Sequence, residues 1–151
     1  MGVAELNETR DMVPLRSEIR IAPDAVHDLS AGAWALLNHL RFVAMQCRVL
    51  PRTDLFEACA LLHGSRSKSV EAHAETLMRC LPEALGHRAK LYAPGVTEVS
   101  FDEFWLVQLA AASSREDALS LRFLLHSRVA KEHRRLVAYL IGHIAGHFAL
   151  T

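Results

Sequence analysis

Several things are scarce in this chain, and each shortage narrows what the protein can be. Lysine is nearly absent: three lysines stand against fourteen arginines. The arginine excess reads as the coding habit of a GC-rich genome. The formal net charge is zero. There is thus no global basic field to gather nucleic acid and no acidic excess of the kind that keeps a chain unfolded. Cysteine is sparse as well. Cys47, Cys59 and Cys80 are an odd number, widely spaced and without a CxxC pair. That argues against a disulfide framework and predicts reduced core thiols in a cytosolic protein. The opening MGVAELNETRD has neither the basic stretch nor the apolar stretch of a secretory signal. Leu6 also stands where a myristoylation signal wants Ser or Thr. A cytoplasmic protein with no membrane partner is expected.

Catalytic signatures are missing too. No glycine-rich phosphate loop or dinucleotide fingerprint is present, and Gly64-Ser65 lacks the following glycine of a nucleophile elbow. The acid pairs Asp102-Glu103 and Glu116-Asp117 fall in expected first helical turns, where the helix dipole accounts for them. His143 and His147 are spaced i, i+4, which can set two imidazoles on one metal. No third ligand is evident, and Ile144 holds the place where a zincin motif needs Glu. The expectation is no enzyme, no metal and no cofactor.

What is present is apolar and helical. Half the residues are hydrophobic (51%), ample for one core in a 151-residue chain. The stretch Leu136 to Leu150, LVAYLIGHIAGHFAL, carries no formal charge. At 100° per residue, Leu136, Val137, Leu140, Ile141, Ile144 and Phe148 share one broad face. The other side is small: Ala138, Gly142, Ala145, Gly146 and Ala149. A helix with no wet side is buried, and this one is too short to span a bilayer. Its small side predicts a close approach, by another helix of the same chain or by the same helix in a homodimer. Gly142 and Gly146 each cost about 1 kcal/mol against Ala in a helix interior, so close packing is the natural reason for them.

In chain order, residues 1–14 read as a flexible lead-in. Leu15 to Ala22 alternates and predicts a short strand stopped by Pro23. Ser30 caps a helix over Ala31 to Val49, with the stripe Leu36, Leu37, Leu40, Val43, Ala44 and Cys47. Arg41 and Arg48 lie together off that stripe. Thr53 caps a short helix, Asp54 to His63, ended by Gly64. Ser67 or Ser69 caps the next, which Pro82 distorts or ends and Gly86 closes. Pro94-Gly95 suits a type II turn, and its flanks Ala89–Tyr92 and Val96–Val99 predict a small hairpin. Ser100-Phe101-Asp102-Glu103 is a capping box opening a helix over Phe101 to Ala112. Ser113 or Ser114 caps another, Arg115 to His126, before the last helix. The fold class is therefore mainly α: about six helices with a small β element.

Residues 15–99 thus run strand, helix, helix, helix, hairpin. RVLPRTDLFEAC, from Arg48, resembles the approach to the second helix in OmpR/PhoB-type winged-helix effector domains of bacterial response regulators. SKSVEAHAETLMRCL, from Ser67, is similar to their recognition helix, with Ser69, Val70, Glu71, His73, Leu77 and Leu81 matching in place. LSAGAWALLNHL, from Leu29, resembles their first helix. The resemblance implies a winged-helix-like part over 15–99 and a small transcription regulator that binds DNA. Arg48, Arg52, Arg66, Lys68, His73, Arg79 and Lys90 would carry that contact. The chain departs from the pattern in two ways. The positions expected to face outward on the recognition helix, Lys68, Glu71, Ala72, Glu75, Thr76 and Arg79, sum to zero charge, and phosphate neutralisation supplies most non-specific affinity. A helical part, 100–151, also follows the wing, packed as one unit with what precedes it. The alternative is a non-catalytic helical interaction protein. It would hold a protein partner on the small side of the last helix or around Phe101, Phe104 and Trp105. Two arginine groups, Arg41/Arg48/Arg52 and Arg128/Lys131/Arg134/Arg135, would strengthen the DNA reading if they met in the fold.

Overall fold

The computed structural model describes residues 28–49 and 66–150, with the backbone alone at 66–68. The lead-in, the strand at 15–22, the helix at 54–63 and Arg52 lie outside the described residues. Five α-helices follow in order: α1 (Ala31–Val49), α2 (Arg66–Leu85), α3 (Phe101–Ser114), α4 (Ala118–Arg128) and α5 (Arg134–Ala145), the last preceded by a 3-10 turn at Lys131–His133. No strand occurs among the described residues.

Four of these helices close a ring. α1 packs on α2, α2 on α5, α5 on α3 and α3 on α1, while α4 lies outside against α3 and, less, α5. His39 lies near Glu71, and Cys47 near Arg79, so α1 and α2 run parallel. His73 stacks on His143, and the Ala130 N–H bonds the Ala84 carbonyl at the other end, so α5 runs against α2. Arg41 meets Glu103 while Leu37 packs with Val107, so α3 runs against α1. The axis of the ring is filled by Leu36, Leu40, Leu77, Leu81, Leu106, Leu109, Ile141 and Ile144, all essentially inaccessible to water.

The expected hairpin is not formed. Its turn is there: Gly95 takes φ 85° and the Val96 N–H bonds the Ala93 carbonyl, as a type II turn requires. The flanks do not pair because side chains take their backbone groups. The Arg41 guanidinium donates to the carbonyls of Val96 and Glu98, each at 2.6 Å. Glu103 accepts from the Tyr92 N–H, and Asp102 from the Lys90 N–H, each at 2.7 Å. Arg41 and Glu103 are themselves joined twice, at 2.7 and 2.9 Å, with both side chains fully buried. Arg41 is thus a buried staple between α1, α3 and the 90–99 crossing, and is no part of a surface arginine group.

Two boundaries shift for local reasons. α2 runs through Pro82 and ends at Leu85, where Gly86 adopts φ 75°. Placed in the final turn, the proline forfeits one hydrogen bond without breaking the rod. α4 begins at Ala118, not at Arg115. Glu116 takes a left-handed φ of 56°, and the Asp117 side chain caps the helix by accepting from the Ser120 N–H. Its Ser120 bonds hold the Asp117 carboxyl below the usual carboxylate range.

The last helix is narrower than its sequence implies. Val137, Leu140, Ile141, Ile144 and Ala145 are buried, but Leu136, Tyr139 and His143 form an exposed stripe, so it has a wet side. Its small residues are used within the chain. Ala145 is in the core, Ala138 packs against it, and a Cβ on Gly142 would lie 3.4 Å from the Ser113 hydroxyl. Gly146 meets nothing but its own helix, at 3.6 Å or more. The glycine that close approach requires is Gly32 at the start of α1, where a Cβ would stand 1.6 Å from the Ala149 carbonyl oxygen. After α5 the tail folds back across Gly32, and Phe148 packs beside His39.

Candidate interaction surfaces

The expected DNA contacts that are described fall at separate places. Arg48 and Arg79 line one cleft. Lys90 lies over the Tyr92 ring, 5.4 Å from its centre. Arg52 is outside the described residues, and the side chains of Arg66 and Lys68 are not described. His73 is buried at the opposite end of α2. Its Nδ1 lies 2.6 Å from the Ser69 carbonyl, which makes Nδ1 the protonated nitrogen. Its Nε2 is enclosed without a partner. Ala72, expected to face outward, is buried, while Glu71 and Glu83 are exposed. Among the described residues, Arg41 and Arg128 are withdrawn from the two arginine groups. Arg41 is internal, and Arg128 is bound by Asp102 and stacked over the Phe101 and Trp105 rings, 5.0 Å from each.

Among the described residues the histidines do not converge on one point. His73 and His143 stack nearly parallel, 4.4 Å apart and 13° from coplanar, which points their in-plane lone pairs side by side. Tyr139 tilts against His143 at 4.6 Å, and His147 lies edge-on to Phe148. Among the described residues no group of three His, Cys, Asp or Glu is placed to hold an ion.

Two clefts remain. The first lies between α3 and α4. The capping box at Ser100 and Glu103 starts α3, and the turn at 115–117 folds α4 back along it. The Trp105 Nε1–H donates to the Leu124 carbonyl at 3.1 Å and fixes the pair. Leu125 is the one buried residue of α4. Leu121 and Leu124 pack half-buried against the core, while Leu119 and Phe123 face out, 80% and 72% exposed. They border a groove of about 470 Å³ whose wall includes Phe104, Gln108, Arg115 and Leu124. Single exposed leucines are ordinary on a protein surface, whereas a Leu–Phe pair at i, i+4 on the rim of an apolar groove is a candidate contact surface. Phe104, one of the apolar residues expected around a partner surface, lies in the wall of this groove. Leu119 and Phe123 were missed, because nothing in the local pattern tells which side of α4 faces α3.

The second cleft, of about 510 Å³, is walled by the C-terminal ends of α1 and α2 and by the 86–91 crossing. It joins Arg48 and Arg79 to Arg88, which sequence spacing did not single out. Cys47 sits in its wall, and burial pushes that thiol upward in pKa, so it stays protonated at neutral pH. Neither cleft is lined by a His, Asp or Glu. Comparison with known proteins gives no match: no family model, no curated protein and no solved structure is similar to the chain.

Proposed function

We propose that this is a non-catalytic helical interaction protein whose contact face is the α3–α4 groove, and that the face is occupied by a second copy of the chain. The observation that carries the reading is the outer stripe of α4. Leu119, Phe123 and His126 are all exposed and follow at i, i+4 and i+7, one side of α4, and the exposed Glu116 stands in the turn just before the helix. Read against itself in reverse, the stripe is self-complementary. Leu119 meets the second copy's Phe123, and Glu116 meets the second copy's His126. This is the isologous pattern of a twofold dimer. The chain's zero net charge adds no long-range repulsion between copies.

Sedimentation equilibrium over a wide concentration range tests the reading. A reversible dimer is expected for the native chain, and Phe123→Asp should be monomeric with an unchanged circular dichroism spectrum. A native chain that stays monomeric at high concentration, or a dimer indifferent to Phe123→Asp, defeats it.

A further inference from the structure

The arginine cleft is independent of that face and points to a ligand. Arg48, Arg79 and Arg88 are far apart in sequence, and the parallel packing of α1 on α2 brings the first two together beneath the crossing that supplies the third. Arg48 and Arg88 are exposed and make no ion pair or direct hydrogen bond to a carboxylate among the described residues. Arg79 gives its Nε and one terminal nitrogen to a single oxygen of Glu75, at 3.1 and 2.9 Å. Among the described residues, three guanidinium groups stand against one carboxylate and leave the cleft positive. Beneath them the wall is apolar: Ala44, Met78, Leu81 and Leu91, with the neutral Cys47 thiol.

We propose that this cleft binds an oxyanion-headed amphiphile: a carboxylate or phosphate held by Arg48 and Arg88, on a short apolar body laid against Met78, Leu81 and Leu91. Guanidinium groups match such heads with paired N–H donors. The volume falls within the range of small-ligand cavities, roughly 300–1,000 Å³. Duplex DNA fits less well, because a backbone tracked over several phosphates would also meet the exposed Glu71 and Glu83 on α2.

Arg48 also stands in the last turn of α1, where a cation offsets the helix dipole, so the test must separate binding from folding. Octanoate and octyl phosphate, below their micellar concentrations, are titrated calorimetrically into the full chain, with octanol, inorganic phosphate and a duplex oligonucleotide as comparisons. One or both amphiphiles should bind one per chain, more tightly than octanol or phosphate alone, and the better head group identifies the source chemistry. Arg48→Ala and Arg88→Ala should each weaken binding about tenfold, the worth of one charge-assisted contact. Arg88→Ala, outside any helix, should leave the melting temperature unchanged. Failure of both amphiphiles to bind, equal binding by the double variant, or octanol binding as well as octanoate overturns the proposal. So does duplex binding with a steep salt dependence that the double variant loses, which would assign the cleft to nucleic acid.

Discussion

Two single residues hold more of this structure than their types announce. Gly32 lets the Ala149 carbonyl rest on the start of α1, and no side chain fits there. Gly32→Ala should cost about 1–3 kcal/mol through forced repacking and should free the tail. A lower melting temperature and faster proteolysis near residue 149 would report it. Gly146→Ala is the control, since its Cβ finds only ordinary contacts, and it should be neutral or stabilising by up to about 1 kcal/mol. The second residue is Glu103, which pairs with Arg41, closes the capping box and accepts from the Tyr92 N–H. Glu103→Ala strands a buried guanidinium and should cost about 3–5 kcal/mol in urea unfolding. Arg41→Met combined with Glu103→Leu should recover part of that. The recovery stays partial because the Tyr92 N–H and the carbonyls of Val96 and Glu98 still lose their partners.

At the scale of elements, the 90–99 crossing and α4 show side chains overruling local pattern. The crossing has the turn of a hairpin but takes its hydrogen bonds from Arg41, Asp102 and Glu103, which ties it to the bundle. α4 is held by Leu125, the Trp105 bond and the Arg128 clamp, so its Leu–Phe side is left outward. The proposed pairing of two α4 helices has an electrostatic consequence. His126→Glu sets the new carboxylate against the second copy's Glu116 and should weaken the dimer. Adding Glu116→Lys should restore it by pairing the new Lys with the second copy's new Glu. Sedimentation of the single and double variants checks this, and a double variant no better than the single rejects the antiparallel register.

At the scale of the molecule, folding buries histidines that the unfolded chain would leave in water. Burial lowers the His39 pKa below its ordinary 6.5; nearby Glu71 opposes the shift and His147 adds to it. The unfolded chain therefore takes up this proton first as pH falls. Stability unaffected by His39 above about pH 6.5 should be lost progressively below it, down to the folded-state value. His39→Gln removes that proton uptake. Its unfolding free energy, followed by urea titration from neutral to mildly acidic pH, should fall less steeply than that of the native chain. The exposed Leu136–Tyr139–His143 stripe belongs to this scale too, because it is set by where α2 and α3 pack on α5.

The sequence by itself determined the helices that carry their own signals. α1 begins and ends where the Ser30 cap and the apolar stripe place it, α3 opens at its capping box, and Gly86 and Gly95 take the left-handed angles their contexts demand. These are local matters, settled by residues within a turn of one another. Only the tertiary structure decided that Arg41 goes inside, that the 90–99 flanks stay unpaired, and that Gly32 rather than Gly146 is the glycine of close approach. It likewise decided that Phe123 faces out and that Arg48, Arg79 and Arg88 share one cleft. The physical reason is common to all of them: each depends on a partner tens of residues away. Periodicity tells which residues share a side of a helix, but not which helix, carbonyl or carboxylate will stand opposite.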